Sequence, residues 1–212
     1  MSNVSIIGVG NMARAIGARA LEGGNSVELI GRDQAKADAL ARDLGSGATT
    51  RAFGSAPSGD IVILAVLYAS AVPIVRQYGD ALAGKIIVDM ANAFAPGATG
   101  LLTPDGSSAA EQIADVAPAD AHVVKAFNTL FGHVLEAGSN QRRRLDVFLA
   151  GDDAPAKQAV SSFIDSLELH PLDAGPLTMA RSLEHAGLLM MGLAGNGVGH
   201  YNFALAITDL TI

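Results

Sequence analysis

The sequence contains neither cysteine nor tryptophan among its 212 residues. Without cysteine the chain cannot form a disulfide framework, use a thiolate nucleophile or build a cysteine-ligated metal site. Aromatic residues are also scarce, at 5%, and charged residues amount to only 17%. Half of the residues are nevertheless hydrophobic. The chain therefore has enough apolar surface to bury a compact core, and an intrinsically disordered protein is excluded.

Positive charge is in short supply, because 14 Lys and Arg residues face 21 Asp and Glu residues, for a net charge of -7. Such a chain has no general attraction to nucleic acid or to an anionic membrane. We therefore predict no nucleic-acid partner, and any phosphate must be bound locally. The five histidines lack close metal-ligand spacing, so no metal site is predicted.

A long hydrophobic run is absent as well. The longest stretch without Asp, Glu, Lys or Arg extends from His185 to Thr208. Gly195–Gly199 interrupt it before the roughly 20 apolar residues that a membrane-spanning helix needs. Met1 leads into the apolar run Val4–Ile7 without a basic segment or a small-residue cleavage site. We therefore expect no membrane span, no signal peptide and a cytoplasmic location.

Short apolar runs alternate with alanine-rich stretches of helical length, which is typical of βαβ units. The run Ile61–Val66 has no polar face, as expected of an interior strand covered by helices on both sides. The sequence predicts an α/β Rossmann fold, with a doubly wound, mostly parallel sheet and a small C-terminal helical appendage. The predicted strands are Val4–Gly8, Ser26–Gly31, Ala48–Ala52, Ile61–Val66, Lys85–Met90, His122–Phe127 and Leu145–Ala150. The predicted helices are Met12–Gly23, Asp33–Leu44, Ala69–Tyr78, Ala154–Leu167 and Leu177–Leu193, with a surface loop at Ala95–Ser108.

The strongest functional signal is the turn Gly8-Val9-Gly10-Asn11-Met12-Ala13, which joins the first predicted strand to the first helix. In this G-x-G-x-x-A pattern Gly8 permits a tight turn, and Gly10 lets the backbone approach a pyrophosphate. The small Ala13 allows the helix to pack against the strand, and the helix amides then face the anion. The motif predicts a dinucleotide site, although an ordinary glycine-bearing turn is the alternative.

The end of the second predicted strand indicates which dinucleotide is bound. A site for NAD would place Asp or Glu there to accept from the ribose 2′-hydroxyl. This chain has Gly31 and Arg32, with Lys36 one helical turn further on. Arg32 can fork onto a 2′-phosphate and Lys36 can add a second charge, so we predict NADP(H). In the alternative interpretation both cations lie on a solvated face, while Asp33 caps the helix or accepts from the ribose.

Ligands of doubly wound sheets lie at the carboxyl ends of the strands, which nominates the residues that follow each one. These stretches are Ala65–Tyr68, Ala91–Ala93 and Ala126–Thr129, and the candidates chosen within them are Ala65, Val66, Asn92 and Asn128. The two asparagines can hydrogen-bond a ribose or a carboxamide, and Phe94 or Phe127 could wall a nicotinamide. Alternatively, asparagines cap turns and phenylalanines fill cores.

With these residues in place, the chain resembles the family of NADP oxidoreductases that depend on the deazaflavin coenzyme F420. The resemblance spans nearly the whole length and rests on several motifs, of which Asp173-Ala174-Gly175-Pro176-Leu177 is the most family-specific. The others are Gly8–Ala13, Gly31-Arg32 with Lys36, Leu149–Asp153 with Lys157, Arg181, Leu183-Glu184 and Asn196–Gly199.

The resemblance implies that a hydride passes between the nicotinamide and a flavin-like ring stacked against it. Such transfer depends on positioning two rings and excluding water, so we predict no catalytic side chain. Residues 1–150 would form the NADP-binding domain. Residues 151–212 would form a C-terminal strand and helical segment that completes the acceptor pocket, around Leu188–Tyr201, and provides a homodimer interface. The apolar stripe Leu188–Met191 is interpreted as core or dimer interface rather than as part of a cofactor site.

Two positions differ from members that use the deazaflavin, which have proline after the fourth strand and histidine after the sixth. Here Leu67 and the run Lys125–Thr129 occupy these places, and the run is similar to the cytosolic domains of metalloreductases, which pass hydride to a flavin. The glycine turn also resembles that of pyrroline-5-carboxylate reductases. The predicted second ligand is thus coenzyme F420 or a flavin. Two alternative functions are the reduction of a small imine or carbonyl substrate and a non-catalytic NADP(H) sensor.

Overall fold

The computed structural model describes residues 1–45, 47–137, 144–208 and 210. Within these residues one sheet has the strand order β3-β2-β1-β4-β5-β6-β7-β8. Neighbouring strands run parallel except β6 and β7. The predicted doubly wound, mostly parallel Rossmann sheet is therefore confirmed. The strands are β1 (Asn3–Ile7), β2 (Ser26–Gly31), β3 (Ala48–Ala52), β4 (Ile61–Leu64), β5 (Ile86–Asp89), β6 (His122–Ala126), β7 (Asp146–Gly151) and β8 (His170–Asp173).

The helices connect these strands and begin where the sequence offers capping groups. The Asp33 side chain accepts from the Lys36 amide and starts α2, and Asp153 accepts from the Ala156 amide and starts α6. These bonds satisfy amides that have no partner inside the helix. The helices are α1 (Asn11–Glu22), α2 (Gln34–Leu44), α3 (Tyr68–Tyr78), α4 (Ala109–Ala114), α5 (Gly132–Glu136), α6 (Ala154–Ser166) and α7 (Ala180–Gly195).

The sheet separates two hydrophobic cores. Successive strand residues point to opposite faces, so Ile6 belongs to one core and Ile7 to the other. Helices α1, α2, α5 and α6 cover the first face, while α3, α4 and the start of α7 cover the second. Residues of the central strands, such as Ile63 and Leu64, are completely buried. This burial on both faces explains why the sequence of β4 has no polar alternation.

Three elements depart from the sequence-based expectations. Strand β8 lies in the C-terminal segment, for which the sequence predicts a strand without bounds. Its Pro171 cannot donate to a ladder, but β8 is an edge strand, where proline is tolerated. The helix predicted at Leu177–Leu193 begins instead with a 3-10 turn, Leu177–Met179, before α7. The short helices α4 and α5 were also missed, since five or six residues carry little helical periodicity.

The C-terminal helical appendage is present as α7 and the segment after it. Past α7, Tyr201 and Phe203 pack edge-on against Phe131 at the start of α5. The predicted division after residue 150 falls within β7 and remains a prediction. Among the described helices, none combines the length and apolar character that crossing a lipid bilayer requires.

The strand order places the functional region. Chain order reverses between β1 and β4, which lie side by side although β2 and β3 intervene in sequence. The connections leave in opposite directions at this point, so a crevice opens outside the carboxyl ends of the two strands. Gly8 and Ala65, which follow β1 and β4, lie at its floor.

Candidate functional site

A cleft of about 670 Å³ occupies this crevice between β1, β4 and the start of α1. Its walls extend from the end of β2 on one side to the end of β5 on the other. Of the residues nominated from the sequence, the cleft brings together Gly8, Val9, Gly10, Asn11, Met12, Gly31, Arg32, Lys36, Ala65, Val66 and Asn92.

The two glycines of the turn are glycine for different structural reasons. Gly8 has a φ of +128°, and a Cβ there would lie 2.1 Å from the Ala65 carbonyl oxygen. Only glycine allows β1 and β4 to approach so closely at this point. A Cβ at Gly10, in contrast, would meet no protein atom within 4 Å. Gly10 therefore leaves open space in front of the helix rather than relieving a clash.

Helix α1 starts directly behind that space. Gly10 is its N-cap residue and makes no side-chain cap hydrogen bond, and the first helical bond runs from the Arg14 amide to the Gly10 carbonyl. The amides of residues 11–13 precede this bond and point out of the helix end, where they can bind an anion. Ala13 does not line the cleft; it is completely buried in the core beneath α1.

Arg32, Asp33 and Lys36 form the rim of the cleft beyond β2, and all three are exposed. Asp33 Oδ1 caps α2, and its Oδ2 lies 3.8 Å from Lys36 Nζ. The Lys36 side chain is 74% exposed, so this long ion pair leaves it free to turn. Gly31 is required by packing, because a Cβ there would lie 2.9 Å from the Val9 side chain.

Two aromatic side chains also line the cleft. Tyr68, which was nominated from its place after β4, starts α3 and donates its hydroxyl to Gln112 at 2.9 Å. Phe53 was not nominated; it follows β3 and packs edge-on against Tyr78, with ring centroids 5.7 Å apart. The rule that selected Ala65 and Asn92 could have found Phe53 if it had been applied to β3.

Asn92 and Asn128 bind each other at the inner end of the cleft. Asn92 Nδ2 donates to the Asn128 carbonyl at 2.8 Å, and Asn128 Nδ2 donates to Asn92 Oδ1 at 3.0 Å. Asn128 Nδ2 also donates to the Leu183 carbonyl on α7 at 2.8 Å. Asn128 itself is buried and does not line the cleft.

Asn128 lines a second, smaller cavity of about 150 Å³ instead. This acceptor cavity, as we name it, meets the cleft at Asn92 and Phe94, which line both spaces. Its other walls are Asn128, Thr129, Leu130, Phe131, Gly187, Met190 and Met191. The two cavities therefore lie side by side between the glycine turn and α7, and Asn92 and Phe94 line both of them.

The turn after β6 carries unusual features. Phe127 has a φ of +63° although it is fully buried and not glycine. Asn128 Oδ1 and Thr129 Oγ1 are buried and have no hydrogen-bond partner within the described part of the chain. Backbone strain and unpaired buried polar atoms both cost free energy, and they concentrate at ligand sites.

Beneath this turn lies a cluster of charges that sequence analysis missed. Lys125 Nζ donates to Asp89 Oδ2 and to Glu184 Oε1, each at 2.8 Å, and to the Ala91 carbonyl at 2.5 Å. All three charged side chains are 0% exposed. A signal was available, because Asp89 and Lys125 interrupt otherwise apolar strands. Glu184 belongs to the motif Leu183-Glu184, but that motif does not indicate a contact with Lys125.

Comparison with known proteins identifies the domain. Residues 3–93, which hold β1 to β5, match the family of NADP oxidoreductases described as coenzyme F420-dependent. The chain is 31% identical over 144 residues to the F420-dependent NADP reductase of Methanocaldococcus jannaschii, covering 66% of this chain and 64% of that protein.

It is also 32% identical over 188 residues to the metalloreductase STEAP3 of Rattus norvegicus, covering 89% of this chain and 37% of that protein. The chain thus spans less than two thirds of the length of both relatives. A crystal structure from Arthrobacter sp. FB24, provisionally named an F420-dependent NADP-reductase, superimposes with a TM-score of 0.85 at 27% identity, covering 99% of this chain and 100% of that one. The glycine turn and nearly all residues that line the cleft thus lie in the segment, 3–93, that matches the family of coenzyme F420-dependent NADP oxidoreductases.

Proposed function

We propose that this protein is an NADP(H)-dependent oxidoreductase that transfers a hydride between the nicotinamide and a flavin-like acceptor, with the deazaflavin coenzyme F420 as the best candidate. One observation carries the proposal: the cleft and the acceptor cavity meet at Asn92 and Phe94. A flat ring in each would be in contact at that junction. The chemistry of the family supports the same reading.

The glycine turn would hold the pyrophosphate of the dinucleotide. The open space at Gly10 is the space that a side chain would fill and that a phosphate needs. The unpaired amides of residues 11–13 face it from the end of α1, where the helix dipole favours negative charge. In this proposal Gly8, Val9, Asn11 and Met12 shape the cradle, and Ala13 lets α1 seat closely.

Arg32 and Lys36 would bind the 2′-phosphate of NADP(H). Both side chains are exposed at the rim. Asp33, which lies between them in the sequence, uses Oδ1 to cap α2 and holds Oδ2 3.8 Å from Lys36 Nζ. The two cations offer charge-assisted hydrogen bonds to a phosphate. This arrangement favours NADP(H) over NAD(H).

The inner end of the cleft would hold the nicotinamide, and the acceptor cavity the second ring. The bound nicotinamide supplies or accepts the hydride. The chain's own part is positioning: Asn92 and Asn128 bring neutral hydrogen-bonding groups to the junction, and Ala65 and Val66 form the floor of the cleft. The thioethers of Met190 and Met191 give the acceptor side an adaptable apolar wall. Positioning of this kind accounts for hydride transfer without a catalytic acid or nucleophile.

The test is anaerobic oxidation of NADPH by the purified protein, followed at the nicotinamide absorbance, with coenzyme F420, FMN and FAD offered in turn. We expect turnover with coenzyme F420 and slower or no turnover with the flavins. Tight NADPH binding without turnover by any acceptor would contradict the proposal and favour an NADP(H) sensor.

A matched pair of variants links turnover to the glycine turn. Gly10→Val fills the open space, and Gly100→Val adds the same side chain at a second glycine that has no neighbour within 4 Å. Neither glycine has a positive φ, so both variants should fold. Gly10→Val is expected to weaken NADPH binding by roughly tenfold or more, equivalent to one lost charged hydrogen bond. Equal affinity in the two variants would contradict the assignment of the turn.

A flavin is the second candidate acceptor, and one observation favours it. The similarity to metalloreductase STEAP3 covers 89% of this chain, more than the 66% matched by the F420-dependent reductase. The same series of acceptors distinguishes the two candidates. Faster turnover with FMN or FAD than with coenzyme F420 would identify a flavin as the acceptor.

The proposal includes a homodimer in the cytoplasm. Helix α7 and the segment after it expose Leu189, at 57%, together with Val198 and Tyr201, and a second copy could cover these apolar side chains. Sedimentation at micromolar concentration should give twice the 21.6 kDa of the chain, and a 21.6 kDa species would contradict the dimer. Cell fractionation tests the location.

A further inference from the structure

Three buried charged groups meet where α7 crosses the ends of β5 and β6. Lys125 lies on β6, Asp89 ends β5, and Glu184 lies in the first turns of α7. The ammonium has three N–H groups, and all of them are used, by Asp89, Glu184 and the Ala91 carbonyl. With no donor to spare and no exposed surface, the cluster cannot bind a ligand itself.

The cluster is a costly way to fill a core. Removing three charges from water carries a large desolvation penalty, and apolar side chains of similar volume often stabilise a fold as well or better. Glu184 Oε2 also lacks a hydrogen-bond partner within the described part of the chain. Stability alone therefore does not explain the arrangement. Hydrogen bonds have fixed directions, so they can orient neighbouring residues in a way that apolar packing cannot.

These bonds converge on Ala91, the residue before Asn92. Asp89 Oδ1 accepts from the Ala91 amide at 2.9 Å, and Lys125 donates to the Ala91 carbonyl. Both polar backbone atoms of Ala91 are thus held by the cluster. Since Asn92 follows directly, the direction of its side chain depends on this clamp.

The same cluster also fixes α7. Glu184 Oε1 accepts from Lys125 and from the Ala109 amide at 2.9 Å. The preceding carbonyl, of Leu183, accepts from Asn128. One turn later α7 approaches so closely that a Cβ on Gly187 would lie 2.8 Å from Asn92 Oδ1.

We propose that Lys125 and Glu184 are positioning residues: they lock α7 onto the ends of β5 and β6 and so fix the Asn92–Asn128 pair at the junction of the cleft and the acceptor cavity. The inference rests on the proposed function, because its consequence is the alignment of two rings. Without the lock, the Asn92–Asn128 pair and the α7 wall of the acceptor cavity would shift relative to the cleft, and hydride transfer would slow.

Glu184 makes its bonds through one oxygen atom, Oε1, which accepts from both Lys125 and the Ala109 amide. Burial raises the pKa of Glu184, an effect that Lys125 opposes and Asp89 reinforces. Glutamine offers an acceptor oxygen at the same place, so Glu184→Gln should keep both bonds.

Two substitutions at one position separate the bond from the side-chain volume. Glu184→Leu removes the acceptor, whereas Glu184→Gln keeps it. Lys85→Met serves as the control. Lys85 precedes β5 and so lies at the end of the strand opposite to Asp89, where its ammonium forms a 3.9 Å ion pair with Asp60. The first readout is amide hydrogen exchange of the cofactor-free protein over residues 90–95 and 126–131. We expect faster exchange in both segments for Glu184→Leu, and near wild-type exchange for Glu184→Gln and Lys85→Met.

The second readout is single-turnover hydride transfer from NADPH to the acceptor that supports wild-type turnover, together with the Kd of NADPH. Glu184→Leu should slow transfer by roughly tenfold or more through misplaced rings, while the Kd changes by less than about threefold because the phosphate contacts are untouched. Wild-type transfer by Glu184→Leu, or unchanged exchange, would overturn the inference. Absence of NADPH binding by the wild-type chain would instead overturn the proposed function, and the exchange data would still test the lock.

Discussion

Arg32 is the residue that we propose selects NADP(H) over NAD(H). Its guanidinium and the Lys36 ammonium are exposed at the rim of the cleft. Arg32→Ala should weaken NADPH binding by about 10- to 100-fold, because one charge-assisted hydrogen bond to a phosphate contributes about 1.5–3 kcal/mol. NADH binding should stay unchanged, since NADH has no 2′-phosphate. Fluorescence titration with both nucleotides measures the two affinities.

The control for this prediction is Arg42→Ala, which removes an exposed arginine from the last turn of α2, the helix that follows Arg32. Arg42 does not line the cleft, so its loss should leave the NADPH-to-NADH ratio as it is. The double variant Arg32→Ala/Lys36→Ala should lose most of the preference for NADPH over NADH. A preserved ratio in the double variant would show that the 2′-phosphate lies elsewhere.

Glu28 on β2 makes stability depend on pH. Burial acts to raise the pKa of its carboxyl, but hydrogen bonds from the Ser58 amide, Ser5, Arg51 and the Ser58 hydroxyl outweigh burial, and the pKa is lowered. A lowered pKa means that the folded state favours the carboxylate. The stabilisation is therefore present above the unfolded value of about 4.3 and is lost as the pH falls through the folded pKa.

Glu28→Gln tests this assignment. The variant should lose about 1–3 kcal/mol in the free energy of unfolding at pH 7, because an amide group would face buried donors. The difference from wild type should shrink below about pH 4.3. Urea denaturation across pH measures it, with Asp43→Asn as the control, since Asp43 is half exposed and an exposed pair contributes little. A difference independent of pH would assign the effect to packing.

Sequence reasoning succeeded at the residue scale where a local rule applies. Residues just past parallel strands line the cleft, as the position of Ala65 and Asn92 illustrates. It did not foresee that Asn128 would turn away into the acceptor cavity, because the bond to Leu183 depends on where α7 packs. Lys125 and Glu184 were missed for the same reason: 59 residues separate them along the chain. Long-range partners leave no local pattern.

At the scale of elements, the capping residues that mark helix starts have measurable effects. Asp153 Oδ1 accepts from the Ala156 amide at 2.7 Å and begins α6. Asp153→Ala should destabilise the protein by about 0.5–2 kcal/mol, since the amide loses its partner. Asp153→Ser keeps an acceptor and should recover most of the loss. Urea denaturation measures both, and equal stability of the two variants would contradict the capping role.

The elements that could be predicted share strong local signals. Strands β1 to β7, apart from the polar β3, are mostly apolar runs. The predicted bounds of all seven agree with the observed ones to within one or two residues. Strand β8 has only four residues, partly exposed and including a proline, so its pairing with β7 decides its structure. The start of α7 was placed too early because Leu177–Met179 form a 3-10 turn. In these cases tertiary packing overrides the local pattern.

At the scale of the whole molecule, the cofactor should stabilise the fold. A ligand that binds only the native state adds about 2.7 kcal/mol when its concentration is 100 times its Kd. For a chain of this length that corresponds to a rise in Tm of about 5–10 °C. NADPH should give this rise in differential scanning fluorimetry, and NADH at the same concentration a smaller one. Equal shifts with both nucleotides would argue against recognition of the 2′-phosphate.

The junction at Asn92 and Phe94 also determines the order of events in catalysis. Because the cleft and the acceptor cavity adjoin there, a hydride would cross directly from one ring to the other and would never reside on the protein. Both molecules must then be present together in one ternary complex. Steady-state double-reciprocal plots should therefore intersect, whereas parallel lines, the signature of a ping-pong scheme, would require a stored reducing equivalent.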